Sequence, residues 1–171
     1  LMIGASAPQA INPHVYPNLN YDARKDFAPI GLITWLPYLF VVSPDNPAAN
    51  LKDFLAAAKA KPNQLTYATT GIGTTSHLVT AVLLSKAGAA MVHVPYKGSS
   101  QAQTDIVGGR TTATFDTMVS SLAMVKSGRL KALAVSTPER VAMLPDVATV
   151  AEQGFPGFDM GAWLGPVSYT H

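Results

Sequence analysis

Hydroxyl and glycine residues are concentrated between Tyr67 and His77. A β-type run at 65–68 precedes this stretch, and an apolar run at 78–84 that predicts a buried helix follows it. A strand, a Gly/Thr/Ser loop and a helix N-terminus together bring free backbone N–H groups, hydroxyls and a positive helix dipole to one point. Such a point favours an anion, and an uncharged loop rich in hydroxyls suits a carboxylate. We call residues 69–77 the cradle loop, and its candidate binding residues are Thr69, Thr70, Gly71, Gly73, Thr74, Thr75, Ser76 and His77.

The cradle loop also has a purely structural interpretation, an ordinary strand-to-helix turn in which Thr74 or Thr75 caps the helix. No lysine follows the glycines, as a phosphate-binding P-loop requires, and their spacing differs from the dinucleotide fingerprint. Taken alone, the loop favours the ordinary turn.

Three more polar residues follow predicted strands, at the edge where ligands bind in open α/β sheets. Tyr96 and Lys97 follow a strand at 91–94, and Lys97 is either a countercharge for a carboxylate or a simple exposed lysine. Asp116 would repel a bound carboxylate, so we expect it to cap a helix or to accept from a ligand hydroxyl or amine. His93 lies inside an apolar strand and is expected to be structural.

The sequence carries no recognisable catalytic motif: it has no Gly-x-Ser-x-Gly, no His-Glu-x-x-His and no paired acids at helical spacing. Ser76 and His77 are adjacent, so their side chains diverge and do not form a nucleophile–base pair. The four histidines are dispersed and cysteine is absent. We therefore expect no catalysis, no metal and no other cofactor.

The composition describes a chain with a large core and few charges. Of 171 residues, 48% are hydrophobic and 13% are charged, and the net charge is +2. The lysines and arginines form no run, which argues against a nucleic-acid partner or a polybasic membrane patch. No apolar run reaches the roughly 20 residues that a membrane span needs.

Strands and helices are predicted to alternate after residue 50. Asn50 is expected to cap the first helix, with Asp53 three positions later. A glycine follows each later helix, as is typical of helix C-termini. The predicted pairs are strand 65–69 with helix 75–87, strand 91–94 with helix 99–107, strand 111–115 with helix 117–127, and strand 131–135 with helix 146–153. This repeat predicts an α/β fold with a mostly parallel sheet.

The two ends of the chain lack this alternation. Residues 1–29 are expected to be irregular, and two β-type runs at 30–33 and 38–42 are expected to be separated by a turn at Leu36–Pro37. We therefore predict one complete lobe with pieces of another. The predicted division is 1–43 for part of lobe one and a first crossover, 44–160 for lobe two, and 161–171 for a second crossover.

Six stretches occur together, in this order, in one protein family. They are Asn20-Tyr-Asp-x-x-Lys-Asp-Phe27-x-Pro, Tyr67-Ala-Thr-Thr-Gly-x-Gly-Thr-Thr-Ser-His77-Leu, Val92-His-Val-Pro-Tyr-Lys-Gly98, Phe115-Asp116, Lys126-x-Gly-x-Leu-Lys-Ala-Leu-Ala-Val135 and Leu144-Pro-Asp-Val-x-Thr-Val-Ala-Glu152-x-Gly-x-Pro-Gly-Phe158. With them, the chain resembles the Bug-type substrate-binding proteins of tripartite tricarboxylate transporters. Each stretch alone is weak evidence, whereas six in series at the family's spacing are specific.

The resemblance implies a periplasmic-binding-protein type II architecture, in which two α/β lobes enclose a cleft. It implies a periplasmic receptor without catalytic activity, which captures a small organic carboxylate and delivers it to membrane permease subunits. Each lobe provides one ligand loop, and the loop of the second lobe corresponds to Thr69–His77. Cleft closure would be a hinge motion at crossovers near residues 40–46 and 160–167.

Family members are longer, so we expect this chain to be truncated, without the signal peptide and the first ligand loop. An exposed half-cleft would favour a homodimer of the truncated chain. The alternative function is the effector-binding domain of a transcription regulator, which shares the two-lobed architecture.

Overall fold

The computed structural model describes residues 1–170, so His171, to which the sequence assigns no role, lies outside the described residues. The strands are β1 (Met2–Ala5), β2 (Phe27–Pro29), β3 (Thr34–Val42), β4 (Thr66–Thr69), β5 (Val92–Pro95), β6 (Ala113–Thr117), β7 (Lys131–Val135) and β8 (Gly161–Tyr169). The helices are α1 (Asn12–Val15), α2 (Leu51–Ala60), α3 (Thr75–Ala87), α4 (Ser99–Val107) and α5 (Met118–Lys126), and a π-helical turn (Ala7–Ile11) precedes α1.

The larger sheet has the strand order β7-β3-β6-β4-β5. β4 is parallel to both β5 and β6, and β7 runs in the same direction because β6 and β7 are both antiparallel to β3. Only β3 in this sheet therefore runs in the opposite direction. The prediction of an α/β fold with a mostly parallel sheet is confirmed for the direction of the strands.

A smaller sheet is built on β8. β8 pairs antiparallel with β1 on one side, and with β2 and the first part of β3 on the other. β3 thus belongs to both sheets: Thr34–Pro37 pair with β8, and Tyr38–Val42 pair with β6 and β7. The chain passes from one sheet to the other at Pro37, before the crossover predicted near residues 40–46.

Two predictions for the segment before this passage are wrong. Residues 30–33 do not form a strand, and Leu36–Pro37 do not form a turn but pair with β8 inside β3. The backbone N–H groups of Ile30 and Ile33 donate to carbonyl groups of β8 at 3.0 and 2.9 Å. The segment contains two residues more than the part of β8 it faces, because residues 30–33 lie opposite residues 165 and 166, so it bulges away from the ladder. Residues 1–29, predicted to be irregular, contain two short strands and short helical turns.

The larger sheet has a hydrophobic core on each face. Helices α2 and α3 cover one face, and α4 and α5 cover the other. Because side chains alternate along a strand, Phe40 of β3 lies in the first core, and Leu39 and Val41 lie in the second. The ring of Phe40 packs against Phe54 and Phe115, with centroids 5.0 Å apart in both pairs. Burial of each such ring contributes about 1.5–3 kcal/mol, so these cores hold the strand ends firmly in register.

The predicted helices of the larger sheet are observed, with one exception. Asn50 caps α2 by accepting from the N–H of Asp53 at 2.9 Å, as expected. Gly88 ends α3 in the left-handed conformation, with φ of 63°. The helix predicted over 146–153 is wrong, because this segment forms turns. Its backbone bonds to the edge of β7 through Val135 and therefore cannot close helical hydrogen bonds there.

Candidate functional site

The candidate site lies where the carboxyl ends of β4, β5 and β6 meet the amino-terminal ends of α3, α4 and α5. Thr69 and Pro95 are partners at the ends of β4 and β5, and the N–H of Tyr96 donates to the carbonyl of Thr69 at 2.9 Å. Asp116 stands near the end of β6. Because β3 runs in the opposite direction, the first residue it contributes to this sheet, Tyr38, reaches the same edge.

The cradle loop is held in shape by its own threonine cap. Thr74 is the N-cap of α3, and its Oγ1 accepts from the N–H of His77 at 3.4 Å and donates to the carbonyl of Gly71 at 2.7 Å. Gly71 and Gly73 have φ of 127° and 75°, a region in which a side chain would be strained. The predicted cap at Thr74 is therefore confirmed, and the glycines make the loop's tight path possible.

Two hydroxyl groups support the cradle loop from inside the protein. Thr69 is fully buried, and its Oγ1 lies 2.6 Å from His93 Nε2 and accepts from the N–H of Gly71 at 3.2 Å. Ser76 is 1% exposed, and its Oγ accepts from the N–H of Thr70 at 3.2 Å. These two predicted binding residues hold the loop backbone in place.

Free donors remain at the helix end of the loop. The N–H groups of Thr75 and Ser76 lie in the first turn of α3, where no earlier helical carbonyl reaches them, and they have no hydrogen-bond partner within residues 1–170. The hydroxyl of Thr70, on a half-buried residue, also has no partner there. Together with the helix dipole, these donors can hold one carboxylate group without a cationic side chain.

Three aromatic rings stack beside the cradle loop. The ring of His93 of β5 contacts those of Tyr67 of β4 and His77 of α3, with centroid distances of 4.9 and 4.4 Å. His77 Nδ1 accepts from the N–H of Gly73 at 3.3 Å. Burial, and then the neighbouring His77, lower the pKa of His93. The expectation that His93 is structural agrees with its bond to Thr69.

Three further residues at this edge were not predicted from the sequence. Tyr38 is 7% exposed, and burial raises its pKa, an effect that the hydroxyl of Thr75 opposes and the charge of Asp116 increases. Ser6 Oγ lies 3.2 Å from Thr75 Oγ1. The hydroxyl of Tyr16 donates to the carbonyl of residue 72 at 3.1 Å. The N-terminal segment therefore contacts the cradle loop, a proximity for which the sequence gives no local signal.

Asp116 is buried, with 2% of its surface exposed, and its carboxylate is bonded within the protein. Oδ1 accepts from Ser99 Oγ at 2.7 Å and from the N–H of Thr117 at 2.8 Å, and Oδ2 accepts from Gln103 Nε2 at 2.8 Å. The expectation that Asp116 caps a helix is wrong, because Thr117 is the N-cap of α5 and accepts from the N–H of Ser120 at 3.3 Å. Its role toward a ligand stays a prediction.

The side chains of the other two predicted residues form no hydrogen bond with the cradle loop within residues 1–170. The Tyr96 hydroxyl donates to Asp105 Oδ2 at 2.8 Å and so points along α4. Burial, together with this hydrogen bond, raises the pKa of Tyr96. Lys97 is exposed and forms no ion pair within residues 1–170.

Metal-ligating side chains do not cluster in the described chain. Among residues 1–170, no group of three or more His, Asp or Glu side chains is placed to hold a metal ion. In the same residues, no helix has both the length and the apolar character that crossing a membrane requires.

Comparison with known proteins decides the family. The sequence matches the family described as "Tripartite tricarboxylate transporter family receptor" over residues 1–170. The chain belongs to this family. A relative of this receptor family, Protein BugT of Bordetella pertussis, is 32% identical over 164 residues, which cover 96% of this chain and 50% of BugT. The resemblance to Bug-type proteins is therefore confirmed, and the transcription-regulator alternative gains no support.

Two solved structures match almost all of the chain. The structure of the R. palustris protein Rpa4515 with adipate has a TM-score of 0.92 and 32% identity, covering 98% of this chain and 56% of that chain. MatC from Rhodopseudomonas palustris, with bound malate, has a TM-score of 0.88 and 28% identity, covering 98% of this chain and 57% of that chain. The chain spans about half the length of the curated relatives it matches.

Proposed function

We propose that this chain forms part of a periplasmic receptor that captures a small organic carboxylate and delivers it to the membrane subunits of a tripartite tricarboxylate-type transporter. The receptor carries out no catalysis. The observation that carries the proposal is the set of free N–H groups of Thr75 and Ser76, beside the cradle hydroxyls, at the sheet edge where ligands bind in α/β folds. Family membership and the adipate and malate of two relatives support it.

The proposed ligand is a small aliphatic carboxylate, of which this chain holds one carboxylate group. The cradle loop offers neutral donors and contains no lysine or arginine. The hydroxyl of Thr70 and the N–H groups of Thr75 and Ser76 would donate to the two oxygens. Lys97, exposed after β5, would add long-range attraction without direct contact.

Closure of the receptor would be a hinge motion where β3 and β8 pair beside the passage between the two sheets. There, Thr34–Pro37 lie directly beside Gly161–Leu164, so both connections between the two sheets sit side by side. On this proposal the smaller sheet is a piece of the first lobe and the larger sheet is the second. The division at residues 43 and 160 stays a prediction, as does pairing of two chains.

Calorimetric titration of the intact protein with adipate and malate tests this function. We expect saturable binding to one site, and no binding of adipamide, the uncharged diamide of adipate. Thr70→Val removes a hydroxyl at constant shape, so we expect the dissociation constant for the better ligand to rise about tenfold, as for loss of a hydrogen bond to a charged group.

Thr104→Val is the matched control, because Thr104 is an exposed threonine of α4 whose hydroxyl bonds to its own helix. No heat with any aliphatic mono-, di- or tricarboxylate would overturn the proposed function. Tight binding that Thr70→Val leaves unchanged would keep the function and remove Thr70 from the site.

A further inference from the structure

The hydrogen bond between Gly73 and His77 requires an unprotonated Nδ1 on the histidine. A backbone N–H can only donate, so His77 Nδ1, 3.3 Å from the nitrogen of Gly73, must present a lone pair. The ring proton is then on Nε2 and the imidazole is neutral. The cradle loop packs closely against the N-terminal segment at Gly73, where a Cβ would approach Val15 Cγ1 to 3.1 Å. The neutral ring of His77 therefore helps to set the path of the loop.

Two titratable side chains pack against the ring of His77. The titratable side chains packed against its ring are Tyr67 of β4, with centroids 6.4 Å apart, and His93 of β5, with centroids 4.4 Å apart. Within residues 1–170, no acidic or basic side chain forms a hydrogen bond or ion pair with either imidazole. A proton on Nδ1 would face the N–H of Gly73 donor to donor, and the new charge would lie against a second imidazole.

We propose that His77 is a positioning residue whose neutral imidazole shapes the cradle loop, so that acidification loosens the loop and weakens carboxylate binding. This inference rests on the proposed function, since it concerns the regulation of the same site. Histidine is the side chain that ordinarily changes charge between about pH 5 and pH 8. Release of ligand in acid is the consequence.

His93 contributes to the same pH response through stability. Because its pKa is lowered in the fold, the unfolded chain binds more protons as the pH falls. Above the pKa of a histidine in the unfolded chain, His93 therefore costs the fold no stability. As the pH falls from that pKa toward the lowered pKa of the folded state, the free energy of unfolding decreases. The two imidazoles thus act in the same direction.

A direct ligand contact by His77 would give the opposite pH dependence. A protonated imidazole that faced the bound carboxylate would attract it, so binding would become tighter in acid. The sign of the pH dependence therefore separates a positioning role from a ligand role.

The test is the affinity of the intact protein for adipate between about pH 7.5 and about pH 5.5, measured for three variants beside the natural sequence. In His77→Asn, Oδ1 can accept from Gly73 at the position of Nδ1 but does not titrate. His77→Phe keeps the stacked ring but has no acceptor. His14→Asn, on exposed α1, is the matched control.

Over this pH range we expect the affinity of the natural protein for adipate to fall about tenfold more than that of His77→Asn. This is the size of effect expected for the loss of one hydrogen bond near a charged ligand. The loss in His77→Asn reports the protonation of adipate itself. His77→Phe should bind weakly at every pH, and His14→Asn should follow the natural protein. Parallel profiles of the natural protein and His77→Asn, or tighter binding in acid, would overturn the inference.

A measurement without ligand separates this inference from the proposed function. The amide resonance of Gly73 should shift with pH, and its hydrogen exchange should accelerate in acid beyond the intrinsic rate, in the natural protein but not in His77→Asn. If no carboxylate binds at any pH, the proposed function fails while this measurement still decides the role of His77. An amide of Gly73 that does not respond to pH would overturn the role of His77 alone.

Discussion

A buried carboxylate organises the edge of the sheet next to the cradle loop. Asp116 accepts from a side chain of α4 on each oxygen, through Ser99 and Gln103, and from the N–H of Thr117 at the start of α5. A carboxylate suits this position because it only accepts, with room for several donors. The amino-terminal ends of α4 and α5 are thereby fixed to the end of β6, beside the proposed ligand site.

Asp116→Asn should lower the free energy of unfolding by about 1–3 kcal/mol, the cost of leaving a buried polar group unpaired. The new amide would face Gln103 Nε2, another donor. The amide of Gln103 could flip so that its oxygen accepts from the new asparagine. That oxygen would then also face the carbonyl of Ser120, to which Gln103 Nε2 now donates at 3.1 Å. Urea denaturation measures the change.

Asp159→Asn is the control for Asp116→Asn, because Asp159 is exposed and its side chain has no partner within residues 1–170. We expect it to change stability by less than about 0.5 kcal/mol. An Asp116→Asn protein as stable as the natural one would show that the cost of burying the charge equals what its three hydrogen bonds return.

Individual residues were predictable where their role is local. Asn50 was predicted as a helix cap, and Thr74 as one of two possible caps beside Thr75, because a cap is a contact between residues three positions apart. Tyr38 was missed because no pattern in the run 38–42 indicates that β3 is antiparallel to its neighbours β6 and β7. Ser6 was missed because its contact with Thr75 joins distant parts of the chain.

The wrong helix at 146–153 shows how tertiary contacts override a local pattern. The segment lies between Pro145 and Gly154, a spacing that favours a helix. In the fold, the N–H of Val135 donates to the carbonyl of Ala148 at 3.1 Å, and the N–H of Val150 donates to the carbonyl of Val135 at 2.9 Å. The segment thereby covers the edge of β7, whose backbone groups would otherwise be unpaired.

Gln153 shows the benefit of this arrangement for α2. It is 7% exposed, its Oε1 accepts from the N–H of Leu51 at 2.7 Å, and its Nε2 donates to the carbonyl of Leu133 at 2.8 Å. One side chain thus satisfies an unpaired N–H at the start of α2 and joins the helix to β7.

Gln153→Ala should lower the free energy of unfolding by roughly 2 kcal/mol, because it leaves a buried N–H and a buried carbonyl without their partners. Gln101→Ala, at an exposed position of α4, is the control and should change stability little. Thermal and urea denaturation of the two variants measure the difference. Equal stabilities would mean that the segment holds to α2 without Gln153.

The α/β alternation of the larger sheet was predictable, whereas the smaller sheet was not. The βα units repeat along the sequence, so periodicity and helix-ending glycines reveal them. The smaller sheet joins β1, β2 and β8, which are far apart in the chain, and pairing over such distances leaves no local pattern. The same limit applies to the candidate site: the cradle loop can be recognised in the sequence, whereas the residues that face it from the N-terminal segment cannot.

Gly165→Ala should destabilise the smaller sheet. A Cβ at Gly165 would overlap the backbone carbonyl oxygen of Gly31, which is not a flexible side chain and cannot move aside cheaply. We expect a loss of roughly 1–3 kcal/mol in the free energy of unfolding, as for other overpacked sites.

Gly31→Ala tests the same contact from the other side and is the control for Gly165→Ala. A Cβ at Gly31 meets no atom within 4 Å. Restricting the unfolded chain should make this variant equal in stability or slightly more stable. Comparable losses in both variants would mean that backbone flexibility, and not close approach, is what the glycines provide.

The late position of β8 has a consequence for biosynthesis. Met2 pairs with Val167, and Pro37 with Gly161, so the smaller sheet closes only after translation has passed both partners. The strands from β3 to β7 leave the ribosome earlier and can form the larger sheet first. Until β8 follows, β1, β2 and the first part of β3 lack the strand with which they pair, and unpaired strands of this kind are prone to pair with other chains.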